Sequence, residues 1–306
     1  MANISNTSFT LQTIFYFEES ESYDIIKITK AREEKHFNSG AIIFLQSHIS
    51  KNTVKKHRRN FLKRVKPVFI IIISEVLILA VSAAGCLYFG VIHFNNPSDK
   101  QYPVKGADIS SYQGEVDFEV LARQNISFVF IKSTEGSTFV DPRFEENWRK
   151  AAKTNMRVGA YHFFSFSSEG QTQAELFCKT VKKVENMLPP VIDVKYYGRY
   201  KSENNISVAD VKKQLRIAVE ALTVYYGTKP IIYVMHKSYK SIVGNDFSDC
   251  DLWCRSVYSV VPQSVDWTFW QYSNLHTLDG YSGSERYIDM NVFNSALDDF
   301  KKYRIY

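Results

Sequence analysis

Four ionisable residues have types and spacing suited to acid–base chemistry. Asp108 lies in GADISS, Asp193 and Lys195 in PPVIDVK, and Asp289 in YIDMNVF, each in or at the end of a short apolar run. Side chains alternate along a strand, so 193 and 195 project to one side and share a site. Aromatic and polar residues recur at similar positions: Tyr161 in GAYHFF, Tyr233 in PIIYVM, and Trp270 with Gln271 in TFWQYS. Ser110 closes the first run with Tyr112 just beyond it, and Glu135 follows the second. A ring of acids and aromatics suits a carbohydrate cleft, because carboxylates transfer protons and stabilise an oxocarbenium ion while flat rings stack on sugar faces. The candidate catalytic residues are Asp108, Asp193 and Asp289. Ser110, Tyr112, Glu135, Tyr161, Tyr233, Trp270 and Gln271 are candidate substrate contacts. His162, His236 and His276 are isolated, without a second ligand at short spacing, so no metal is expected.

These residues need strands to carry them. Eight strand-like runs are readable, at 106–110, 128–134, 157–164, 190–194, 230–235, 251–257, 268–273 and 287–293. Helical patterns lie at 118–124, 143–154, 171–186, 208–226 and 294–303. About five connections carry a helix, and the later strands are too close together for a full eightfold repeat. The expected fold is α/β, a distorted TIM-like β/α barrel over 105–303. In such barrels chemistry gathers at the carboxyl ends of the strands.

The first third of the chain differs. Eight of the 38 basic residues cluster between Lys51 and Lys66, leaving 30 elsewhere against 32 acids. The net charge of +6 is therefore a local block, and the barrel region has no basic excess with which to grip nucleic acid. Residues 68–92 form a 25-residue apolar run whose one charged side chain is Glu75. That length crosses a bilayer core as a helix. Fifteen of those residues are Val, Ile, Leu or Phe, which outweighs one acid. The bases before the run place the N-terminus in the cytoplasm and the barrel outside, as a single-pass protein of the cell membrane touching lipid through 68–92. The expected organisation is a poorly structured cytoplasmic extension at 1–50, a basic juxtamembrane segment at 51–67, the span at 68–92, a linker at 93–104 and the barrel at 105–303. No nucleotide loop or cofactor motif is present, and no cofactor is expected.

The blocks GADISSYQGEVDF, IKSTEG, GAYHFF, PPVIDV, WTFWQYS and IDMNVF, in this order, resemble those of family 25 glycoside hydrolases. The resemblance spans about 102–303. It implies a lysozyme-type muramidase that cuts the β-1,4 bond between N-acetylmuramic acid and N-acetylglucosamine, with peptidoglycan glycan strands as partner. By the same resemblance Asp108 matches the family's first-strand acid, Asp193 the first member of an Asp-x-Glu pair, and Asp289 the last-strand acid. Lys195 stands where the family has its proton-donating glutamate. That departure opens two readings: a membrane-anchored hydrolase with impaired activity, or a silent peptidoglycan-binding scaffold of the envelope, with an envelope machine as candidate partner. Glu135 and Glu203 are the candidate replacement acids.

Overall fold

The computed structural model describes residues 39–88 and 93–303. The chain divides into two compact units, Met1–Ala80 and Val81–Tyr306. A 50-residue helix, α1 (Ser39–Tyr88), contains Pro67 at the junction of the basic block and the apolar run. Residues 39–50, where the sequence shows no helical period, belong to this helix; residues 1–38 lie outside the described part. Among the described residues one helix, Lys55–Cys86, is long and apolar enough to cross a membrane. Its Val, Ile, Leu and Phe side chains from Val68 to Val81 are exposed all round, and a helix apolar on every face suits lipid.

The second unit is built on nine strands: β1 (Lys105–Ile109), β2 (Phe128–Glu135), β3 (Phe139–Val140), β4 (Arg157–Phe163), β5 (Val191–Val194), β6 (Ile231–Met235), β7 (Leu252–Arg255), β8 (Phe269–His276) and β9 (Ile288–Phe293). Leaving aside the two-residue β3, eight strands close into a barrel in the order β1-β9-β8-β7-β6-β5-β4-β2, and β2 pairs back to β1. Six of the eight ladders are parallel, whereas β9 runs antiparallel to both β1 and β8. The reversed strand follows from the short connection between Phe269–His276 and Ile288–Phe293, which holds no helix to carry a parallel crossover. The α-helices longer than one turn are α2 (Phe118–Ala122), α3 (Phe144–Ala151), α4 (Gly170–Thr180), α5 (Val208–Tyr226) and α6 (Leu297–Lys302).

Two apolar layers hold the barrel. Inside, Phe128, Phe130, Tyr233, Trp253, Phe269 and Phe293 form a mainly aromatic plug. Two glycines make room for it: a Cβ on Gly106 or Gly159 would lie 2.4 Å from the rings of Phe128 and Phe130. Outside, alternate residues such as Val129, Ile131, Val158, Ala160, Ile192 and Val234 pack with Phe144, Trp148, Phe177, Leu215 and Leu222 of the helices. Helix α5 begins at a Ser207 cap, whose hydroxyl accepts from Asp210 N, and ends at Gly227 in the left-handed region. Residues 93–104 are irregular, as their turn-forming composition asks, yet they pack on the barrel. Asn95 and Val104 are buried, and the Tyr102 ring lies 5.9 Å from that of Trp267.

Candidate active site

The sheet register assembles the acids. Asp108 of β1 pairs directly with Asp289 of β9. Because β9 is reversed, Asp289 sits near its start yet reaches the carboxyl end of the parallel strands. Gln271 of β8, opposite Asn291 in the ladder, donates through Nε2 to Asp108 Oδ2 at 2.7 Å and to Asp289 Oδ2 at 3.2 Å. Asn291 Nδ2 donates to the same Asp108 oxygen at 2.8 Å. Tyr233 Oη in turn donates to Gln271 Oε1 at 2.9 Å, and Trp253 Nε1 to Asn291 Oδ1 at 2.8 Å. Each amide is thus pinned on both sides, and a pinned amide aims its donors at the carboxylates without reorganising.

On β5, Asp193 Oδ2 lies 2.8 Å from Lys195 Nζ. The Lys195 ammonium also lies 4.7 Å from the centre of the Phe163 ring and 5.8 Å from that of Tyr233. Asp193 Oδ1 is buried and, among the described residues, has no hydrogen-bond donor. Asp108, Ser110, Tyr112, Glu135, Tyr161, Lys195 and Asp289 all line one cleft of about 580 Å³ at the carboxyl end of the barrel, with Asp193 beneath Lys195.

Burial pushes the Asp108 carboxyl up to about 6, against the pull of the Asn291 and Gln271 hydrogen bonds and the Lys195 charge. Burial, reinforced by the neighbouring Asp108 charge, pushes Asp289 up to about 8. Two carboxyls this close do not both ionise freely, so near neutrality the pair retains a proton. Asp193 is also raised by burial, with Lys195 opposing. For Lys195, burial works against the charge, but Asp193, Asp108 and Asp289 outweigh it and hold the ammonium above its usual range. Lys195 therefore stays cationic through the neutral range.

The other expected residues fall into distinct places. Glu135 is engaged by Lys132 at 2.7 Å on the cleft wall. Glu203 lies in a short exposed turn, Glu203–Asn205, and does not line the cleft. Ser110 caps the following turn, its hydroxyl accepting from Tyr112 N, while Tyr112 stands exposed on the rim. Tyr233 and Gln271 belong to the floor, supporting the acids from below.

Trp270 does not share the site, contrary to its expected role as a sugar platform. Its neighbour Gln271 faces inward, so alternation turns Trp270 outward, where it packs against Tyr102 and Trp267 and donates from Nε1 to Ser256 O at 2.9 Å. His162 is likewise outward and buried, between Thr134 Oγ1 at 2.7 Å and Gln173 Oε1 at 3.0 Å, and burial lowers it to about 4.

Sequence reasoning missed Asn291, Arg255, Phe163, Tyr197 and Tyr287. Asn291 is two residues from Asp289 and so on its face, and Arg255 ends an apolar run as the expected acids do. Those signals were present in the chain. Among the described residues no group of three or more His, Cys, Asp or Glu side chains is placed to hold a metal ion.

Comparison with known proteins agrees with this geometry. The family model described as glycosyl hydrolases family 25 matches residues 107–281. A solved family 25 glycosyl hydrolase from Bacillus anthracis is 46% identical, with a TM-score of 0.65 over 70% of this chain and 98% of its own. The uncharacterized protein YegX of Escherichia coli (strain K12) is 31% identical over 209 residues, 66% of this chain and 74% of that protein. Lysozyme M1 of Streptomyces globisporus is 28% identical over 204 residues, 63% of this chain and 68% of the lysozyme. With its closed barrel, its strand-end acids and a match over more than half its length, this chain belongs to family 25 of the glycosyl hydrolases.

Proposed function

We propose that this chain is a membrane-anchored, lysozyme-type barrel that binds peptidoglycan glycan strands in its cleft and hydrolyses the β-1,4 bond between N-acetylmuramic acid and N-acetylglucosamine only slowly. Family membership and the clustered acids support the substrate class. The apolar run in α1 and the bases before it support a single-pass anchor, with the N-terminus cytoplasmic and the barrel outside.

The observation that carries the impairment is the 2.8 Å ion pair between Lys195 and Asp193. A glycosidase expels a sugar alkoxide, a poor leaving group unless a placed acid protonates it, and such an acid contributes about 10²–10⁴-fold. An ammonium held above its usual range by three aspartates gives up its proton reluctantly. It also engages the carboxylate that would otherwise orient substrate or water. The cleft itself stays open, lined by Asp108, Tyr112, Glu135, Tyr161 and Asp289, so binding survives where proton donation does not.

The same ion pair favours the second reading, a silent wall-binding protein in which hydrolysis is lost altogether. Incubating the full chain with purified peptidoglycan separates the outcomes. Co-sedimentation with slow release of reducing ends fits the first reading, and co-sedimentation without release fits the second. Release at the rate of an ordinary muramidase overturns both.

A further inference from the structure

The segment that leaves the apolar run is fastened to the barrel. The run ends at Ile92, and the His93 ring stacks on His276 at the end of β8 with centroids 3.8 Å apart. Asn95 is buried and spends its amide on three carbonyls: Ser256 at 2.9 Å, Ser259 at 3.3 Å and Tyr272 at 3.1 Å. Those bonds tie the chain to the loop that follows β7 and to β8. Between the two anchors, Phe94 projects outward and meets Tyr258 of that loop edge to face, with centroids 5.2 Å apart. Phe94, Tyr258 and Val260 are 55%, 69% and 67% exposed. A short apolar cluster is thus left uncovered within two residues of the apolar run. His93 and Asn95 thus hold Phe94, two residues past the run in sequence, against the barrel.

We propose that Phe94, Tyr258 and Val260 dock into the headgroup layer on the outer face of the membrane, so that the barrel rests on the lipid surface by its β7–β8 loop. This rests on the reading of residues 68–92 as a membrane span. An aromatic pair with one phenol hydroxyl suits the headgroup boundary, where the ring meets acyl chain and the hydroxyl meets water. Burying three such side chains is a modest gain each, but the span has already paid the entropy of bringing them to the surface. Arg255, which lines the cleft, immediately precedes the loop, so docking also brings one rim of the cleft to the membrane. Glycan entering it comes from the layer nearest the lipid.

The test uses the full chain reconstituted into phosphatidylcholine–phosphatidylglycerol vesicles with acyl chains brominated near the headgroup. A tryptophan is added by Tyr258→Trp or, as an aqueous control, by Val224→Trp on α5, a site 86% exposed. The expected result is bromolipid quenching of the added emission several-fold stronger in Tyr258→Trp than in Val224→Trp. Equal, weak quenching in both, with the chain still floating with the vesicles after alkaline washing, overturns the docking and leaves the span intact; a patch that faces solvent or a protein partner gives that result. Extraction of the unsubstituted chain by the alkaline wash overturns the span itself, and the docking with it.

Discussion

Replacing Lys195 by glutamate tests the proposed impairment at its origin. Asp193 lies in β5 and Lys195 one residue past its end, on the same side of the extended chain and roughly 6.6 Å further along. A glutamate there puts a second carboxyl beside Asp193, whose side chain is 5% exposed. Two carboxyls in such a site cannot both ionise near neutrality, so one keeps its proton and becomes the missing acid. The expected gain in reducing-end release is therefore that of a placed general acid, about 10²–10⁴-fold. Stability moves the other way. Breaking a fully buried ion pair costs about 3–5 kcal/mol, and Lys195, at 33% exposure, reduces this to about 1–3 kcal/mol. Lys195→Gln is the control: it loses the ion pair without supplying an acid, and should be destabilised while remaining slow. The assay is reducing-end release from purified peptidoglycan, with folding checked by urea titration. If the natural chain already works as fast as Lys195→Glu, or if Lys195→Gln accelerates as much, the reasoning about the missing acid is refuted.

Other perturbations read the supporting structure. Asp108 and Asp289 are raised from 3.8 to about 6 and about 8, so folding favours their protonated forms and stability is lost as pH rises through that range. His162 is lowered from 6.5 to about 4, so its contribution is lost as pH falls through that window. The melting temperature should therefore decline between about pH 6.5 and 8, and Asp289→Asn should flatten that decline in a pH series of thermal melts. Gln271→Leu leaves the Tyr233 hydroxyl without its acceptor and Asp108 with one donor fewer. It should cost about 1–3 kcal/mol by urea titration and weaken co-sedimentation with peptidoglycan. Gly170→Ala places a Cβ 1.9 Å from the backbone oxygen of Gln214, where α4 meets α5, and should destabilise by about 1–3 kcal/mol or more in the same titration.

Much of this protein is local information. Runs of strand-forming residues between turn signals mark eight of the nine strands, and α5 follows its apolar period from Ser207 to Gly227. The shared side of Asp193 and Lys195 follows from the two-residue repeat of a strand alone, and the 25-residue apolar run follows from composition. What the chain could not reveal is which face of each strand looks inward. Both faces of these strands are buried, one against the aromatic plug and the other against the helices, so the first half of β2, Phe128–Ile131, is apolar on both sides and alternation there carries no sign. That ambiguity left open which of Trp270 and Gln271 faces the site; adjacency in a strand sends them to opposite faces, and the barrel turns Gln271 inward. The pairing of Asp108 with Asp289 needed more still. It exists because β9 closes the barrel in the reverse direction, bringing the start of the last strand against the carboxyl end of the first. Only a closed sheet, in which every strand finds two neighbours, decides that.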